Sequence, residues 1–480
     1  MEYMNELAYM TSAIAGVSTQ IFSIQPTNTT DCLAGRKVSF ALPSSALLNF
    51  RTLALHFSAD ANQTASAGGR LTPKITSLID RVELSAAGQM IQQGFNQQNT
   101  FHHIRDALCE MNNSDHCLSH PAMVRTTSYV DGFGDAGTST LSTTENESYP
   151  TSSGAAQFVC SNWVGFPGTC EPSVQNMSLL PDCIFSVYFA GNEVLGSAAG
   201  VTLKGTGATD FTDAGTATAA FKVYNLHLTI ECVGLASSVY DNVIASEIAA
   251  SGYVSTNFRN YFSFSDTHTG STKFSVATQC LSRIWVGLRA TAYDTSQLIS
   301  AVNGYKISGA FTSATSAGAS YTQIVTQDVG KPQYDIGGVF STNSELYTTA
   351  YFNFSEVANR TSSSVAPQFQ LQLNGSYIPS FRATVEEMWQ ISKNSVPQYH
   401  MGKPTIISLD QYRNNYFCFC IRLCLPSDDT RVLSGLDTRS VALQGYINST
   451  GLLSTTNMMV FAECVSSLRV GSGRQMNVVI

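Results

Sequence analysis

The chain has 480 residues, well past the roughly 250–300 at which a single hydrophobic core stops growing, so two domains are expected. Charged residues make up only 12% of it, against about 25% in an ordinary soluble domain, and the net charge is −8. With 26 Lys plus Arg and no basic arm at either end, direct or sequence-specific nucleic-acid binding is not expected. Solubility then rests on Ser, Thr, Asn, Gln and Gly, residues that favour turns and β structure. A surface with few long charged side chains is also one that neighbours can cover. The apolar stretch Leu7–Val17 is short, lacks a basic flank and does not read as a signal peptide, and no run of about 18 apolar residues occurs. The 12 cysteines of such a chain read as reduced, mostly buried thiols of an intracellular protein. Its Asn-X-Ser/Thr sequons read as by-products of composition.

In chain order, alternation of apolar and polar residues predicts strands at Thr19–Ile24, Lys37–Leu42, Leu53–Ser58 and Asp80–Leu84. Phe101, Ile104, Leu108 and Met111 recur at helical spacing. Strands resume at Ile184–Phe189 and at Lys222–Cys232, where Tyr224, Leu226, Leu228, Ile230 and Cys232 are expected on one buried face. Further strands are expected at Lys273–Ala277, Arg283–Leu288 and Gln368–Leu373, with Asn374-Gly375 as a tight hairpin turn. Thr384 and Glu387 form a capping box for a helix to Ser395, which Pro397 ends. Tyr416–Ile421 is apolar on both faces, the mark of a strand in the middle of a sandwich. A last strand is expected at Met458–Val465.

Many strands and two helices define an all-β chain. Its domains are expected at residues 1–235 and 257–480, with 236–256 as a linker. Glu231-Cys232-Val233 recurs as Glu463-Cys464-Val465, which supports two similar halves, although the two helices do not share that offset. Three long Gly/Ser/Thr/Ala-rich stretches, Thr126–Ala156, Glu193–Ala220 and Gly309–Gly330, read either as functional loops or as flexible surface.

The segments Lys37–Pro43, Leu47–Phe57 and Leu78–Leu84, then Gly88–Ile91 leading to the helix at Phe101, resemble the first roll of double jelly-roll major capsid proteins. These are found in polinton-like viruses, virophages and larger eukaryotic DNA viruses. Leu373–Pro379 followed by the Thr384 helix, Ser434–Arg439, the strand to Asn448, Phe461–Val465 and Leu468–Arg474 are similar to the second roll. The resemblance implies two tandem eight-stranded jelly rolls and three subunits per pseudo-hexameric capsomer, tiling an icosahedral shell. In that setting the long loops would form an outward tower and subunit contacts. The implied partners are copies of itself and minor capsid, cement and vertex proteins, with room for an internal membrane beneath. The implied location is the virion, after synthesis in host cytoplasm or nucleus.

No catalytic, cofactor-binding or metal residue is expected, and no cofactor. His102, His103, Cys109, His116, Cys117 and His120 are ligand types close in sequence, but without the paired spacings of zinc sites. Cys418, Cys420 and Cys424 read as core. There is no Gly-x-Ser-x-Gly elbow, and Gly330-Lys331-Pro332 is not a phosphate loop. Glu386 and Glu387 read as helix N-terminal charges. A β-sandwich glycosidase is disfavoured by having only Trp163, Trp285 and Trp389 to stack sugars. The alternatives to a capsomer subunit are a receptor- or glycan-binding sandwich and a minor or vertex capsid protein.

Overall fold

A computed structural model of the chain describes residues 17–60, 69–70, 75–92, 95–109, 156–197, 201–203, 211–213, 220–235, 239–295, 299–301, 347–362, 364–396, 412–413, 416–425, 434–439 and 445–480. The first eight principal strands are β1 (Val17–Ile24), β2 (Lys37–Ala41), β3 (Leu47–Asp60), β4 (Ile79–Ala86), β5 (Gln89–Gln92), β6 (Ala156–Cys160), β7 (Cys183–Phe189) and β8 (Lys222–Leu235). They form two antiparallel sheets, ordered β1-β8-β3-β6 and β2-β7-β4-β5. The next eight are β9 (Tyr253–Thr267), β10 (Ser271–Phe274), β11 (Leu281–Ala290), β12 (Gln368–Leu373), β13 (Ser376–Thr384), β14 (Cys418–Arg422), β15 (Gly445–Thr450) and β16 (Thr456–Gly471). Their sheets are β9-β16-β11-β14 and β10-β15-β12-β13, the same order with every strand advanced by eight. Both halves are therefore jelly rolls, and the chain is an all-β double jelly roll.

Alternation fills each core from its two sheets. In the first roll Val38, Phe40, Val82, Leu84, Phe185 and Val187 meet Leu48, Leu55, Phe57, Leu228 and Ile230, all buried. In the second, Phe369, Leu371 and Ile447 meet Ile284, Val286, Leu288 and Val460. The hairpins also match. Asn374 and Gly375 have φ of 48° and 83°, as the sequence implies, and Ala87 and Gly88 have φ of 46° and 83° between β4 and β5. Both are two-residue turns with two left-handed residues, whose twist suits the flanking strands.

The helices fall at equivalent places: α1 (Gln98–Cys109) follows β5, and α3 (Val385–Ser395) follows β13. Their unequal sequence offset arises between the third and fourth strands of each roll. There β3 ends at residue 60 and β4 starts at 79, whereas β11 ends at 290 and β12 starts at 368. The stretch expected as a linker contains α2 (Val239–Ser251) and the first residues of β9. Most of α2 is exposed; among its described side chains only Tyr240, Ile244 and Ile248, four residues apart, are half-buried, and other apolar residues such as Val243 lie off that row, so the helical period is weak.

Two expectations are corrected. Val223, not Tyr224, is buried at the start of β8; Asn225, at φ 53°, forms a bulge that reverses the alternation ahead of Leu226. β14 is buried on both faces, yet it lies at the end of its sheet rather than in the middle. Its free edge is closed by α3. The Ser392 and Ser395 hydroxyls accept the Cys420 and Arg422 amide N–H bonds, at 2.9 and 3.2 Å, and donate to the Met388 and Ile391 carbonyls. The expected loop Gly309–Gly330 lies outside the described residues, as does Thr126–Ala156 except for Ala156. Within Glu193–Ala220, Val201–Leu203 pairs with Phe211–Asp213.

Candidate interaction surfaces

Of the candidate metal ligands on α1, the two described histidines turn to different surroundings. His102 is buried in α1 beside Gln98, while the His103 ring stacks on Phe352 with centroids 3.9 Å apart. His116, Cys117 and His120 lie outside the described residues, and so does the side chain of Cys109. Cys418 and Cys420 are buried in β14, and the Cys418 thiol donates to the Ile104 carbonyl at 3.5 Å. Among the described residues, no group of three or more His, Cys, Asp or Glu is arranged to hold a metal ion. Burial pushes the Cys32 thiol up to about 11 and Cys170, Cys183 and Cys464 up to about 12, so these sulfurs stay protonated and poorly nucleophilic.

Glu387 completes the capping box on Thr384, accepting the Thr384 N–H at 2.7 Å, and Glu386 pairs with Arg413 at 2.9 Å. Arg413 also reaches the buried Glu356 carboxylate at 3.3 Å, so Glu356 and Glu386 share one guanidinium. The tryptophans are structural: Trp163 donates to the Leu53 carbonyl, Trp285 donates to Glu463, and the Trp389 ring lies under Lys393. A cleft of about 450 Å³ on the second roll is lined by residues including Tyr253, Asn257, Gln279, Cys280 and Arg469, with no carboxylate among its lining side chains. Arg469 covers the Tyr253 ring at 4.7 Å, which removes its one aromatic platform.

The chemistry that the sequence left unnoticed is an ion cluster on the outer face of the β9-β16-β11-β14 sheet. The Glu463 carboxylate, buried on β16, accepts from Arg259 at 2.6 Å, Arg283 at 2.8 Å and the Trp285 indole at 2.9 Å. Arg283 also donates to the Ser395 carbonyl at 3.0 Å. A carboxylate holding three charge-assisted and indole donors ties β9, β11 and β16 together, and Arg283 extends the link to α3. A signal was present, since Glu463 lies in the repeated Glu-Cys-Val and three donors alternate around it, but strand pairing is needed to see it.

Beside that cluster the first roll packs on the second. Phe101 of α1 stands 5.6 Å from Trp285, 5.3 Å from Phe461 and 4.8 Å from Tyr261, centroid to centroid. Ile104 presses on Gly287 so closely that a Cβ there would sit 2.6 Å from its Cδ1. Phe166 meets Phe258 edge-on at 5.1 Å, and Glu171 exchanges two backbone hydrogen bonds with Asn257. On the equivalent first-roll sheet, Ile21, which pairs with Glu231, is exposed.

No family model matches the chain, and no curated protein matches it. Solved structures do. The crystal structure of PBCV-1 VP54, fitted into a cryo-EM reconstruction of the virophage Sputnik, is 12% identical with a TM-score of 0.52, over 97% of each chain. The Faustovirus major capsid protein is 9% identical with a TM-score of 0.52, over 95% of this chain and 91% of that one. At such identity the likeness establishes a shared fold, the double jelly roll.

Proposed function

We propose that this chain is the major capsid subunit of a double-stranded DNA virus, three copies of which form a capsomer with six similar corners. The observation that carries this reading is that the described residues form two rolls of identical strand order, in a chain whose fold likeness to a known major capsid protein extends over 95% of its length. The mechanism is geometric: six like rolls present a six-cornered outline that packs into flat facets, and sparse surface charge limits repulsion between many identical copies. In this reading residues 1–235 form the first roll and 257–480 the second, joined by 236–256, whose last residues, from Tyr253, already belong to β9. Catalysis has no part in it. Minor capsid, cement and vertex proteins are the further partners, and the virion is the place of work.

Light scattering after size exclusion is expected to give about 155 kDa, three times the 51.7 kDa of one chain. Negative-stain images are expected to show a hexagonal outline. A stable monomer with a round profile removes the reading.

A further inference from the structure

Arg469 is half-buried, and among the described residues no carboxylate pairs with it. In contrast, Arg259, Arg283, Arg289, Arg360 and Arg413 each hold a carboxylate. The Arg469 Nε is enclosed and has no hydrogen-bond partner. An enclosed donor without an acceptor is costly, and more so when it carries charge. The Tyr253 ring, 4.7 Å away, positions the guanidinium by a cation–π contact without neutralising it.

Arg469 stands in the wall of the cleft of about 450 Å³ on the second roll. It shares a face of β16 with Ser467, two residues before it. β9 runs antiparallel alongside, in a register that sets Ser255 opposite Arg469 and Asn257 opposite Ser467. Alternation thus turns four polar side chains from two strands to one face, and all four line the cleft. Gln279, just ahead of β11, and Ser434, in the connection from β14 to β15, line it as well. The Ser434 hydroxyl accepts the Leu425 N–H at 3.0 Å, which leaves its own proton to donate.

The surroundings place no other acidic side chain against the guanidinium. Glu171, whose backbone pairs with that of Asn257, gives its carboxylate to Arg51 at 2.7 Å. The Ile480 oxygen beside Gln279 takes the Gln279 N–H at 3.1 Å. Burial, with the Cys424 thiol nearby, pushes the Cys280 thiol up, so that sulfur brings no negative charge to the cleft.

We propose that this cleft binds a phosphate group, free or carried on a small polar molecule, with Arg469 as its charge partner. The guanidinium holds one side of the group, and the hydroxyls and amides of Ser255, Ser467, Asn257 and Gln279 donate to the remaining oxygens. A planar carboxylate has two oxygens and leaves most of those donors unmet, whereas a tetrahedral group turns oxygens to several walls at once. The cleft is complete within one chain and needs no second copy.

Titration calorimetry of the full chain with inorganic phosphate, at neutral pH and fixed ionic strength, should show one site with a Kd of about 1 mM or tighter. Ser255→Asp is the decisive variant. Ser255 is exposed, so circular dichroism should be unchanged, while the new carboxylate lies directly opposite Arg469 and occupies it. Phosphate affinity should fall about tenfold or more, as it should in Arg469→Gln. Glycerol 3-phosphate separates the two sources: binding tighter than inorganic phosphate assigns the cleft to an ester, and weaker binding assigns it to the free anion. Acetate binding as tightly as phosphate overturns the choice of phosphate. The site itself is overturned by phosphate affinity that Ser255→Asp leaves unchanged, or by a wild-type chain that shows neither saturable heat nor a raised thermal midpoint in phosphate. The capsomer reading stands or falls separately, on the mass of the wild-type assembly.

Discussion

Arg283 and Glu463 form an ion pair at 2.8 Å across the neighbouring strands β11 and β16, with both side chains shut off from solvent. Desolvating two such charges is costly, and the pair persists because its remaining donors and acceptors are used: Arg259 and Trp285 on the carboxylate, the Ser395 carbonyl on the guanidinium. Removing one partner strands the other. Arg283→Met is expected to lower unfolding stability by about 3–5 kcal/mol, read from the denaturant midpoint at unchanged slope. A loss below about 1 kcal/mol would mean that the cluster is wet in solution and that its buried geometry is wrong.

A bulge fixes a second prediction. Asn225 turns β8 so that Tyr224 faces outward under Lys222, whose ammonium lies 4.4 Å from the ring centre, while Leu228 is wholly buried. Leu228→Asp should abolish soluble expression, because a carboxylate in that core costs several kcal/mol even after it takes up a proton. Tyr224→Asp should fold, losing about 1 kcal/mol of cation–π and packing energy in thermal melts. Equal damage from both substitutions would restore simple alternation along the strand.

These residues also show what the sequence reveals and what it hides. Local rules that need only neighbours along the chain were legible. The Thr384–Glu387 capping box, the Asn374-Gly375 turn and the alternation from Leu226 to Cys232 all stand as read. Asn225 broke the phase because a bulge is decided by the partner strand, which lost register there. Tyr416–Ile421 looked central because it is apolar on both faces, and the edge became visible only when α3 was seen covering it. The candidate cleft was half legible. Arg469 lies in a segment matched to the second roll, but its place opposite Ser255 depends on the register of β9 with β16.

The covered edge of β14 gives the third prediction. Ser392 is fully buried, and its hydroxyl is the acceptor for the Cys420 N–H. Ser392→Ala leaves that amide without its acceptor inside the protein, at a cost of about 1–3 kcal/mol. Hydrogen exchange at Cys420 should accelerate by a factor of about 10 or more, since 1.4 kcal/mol is tenfold in an opening equilibrium. Unchanged exchange would show that the edge is protected by burial alone, without the serine hydroxyl.

His268 sets the pH response. It is buried between β9 and β10, where its Nε2 accepts the Gly270 N–H at 3.1 Å and contacts the Ser449 hydroxyl at 3.0 Å. Burial lowers its pKa from the ordinary value of 6.5, so the folded protein holds the ring neutral where the unfolded chain protonates it. The sign follows from linkage. The contribution of this group is fully present above pH 6.5 and is lost as pH falls through the lowered folded value, below which the ring is charged in both states. Wild-type melts recorded from pH 8 down to pH 5 should therefore show a decline that starts near the ordinary imidazole value. His268→Gln keeps a side-chain acceptor for Gly270 and does not titrate, so its melts should fall less steeply over the same interval. Parallel curves for the two proteins would assign the acid sensitivity to other groups, His56 first among them, since its pKa is lowered by its own burial and by the His227 ring stacked 4.8 Å away.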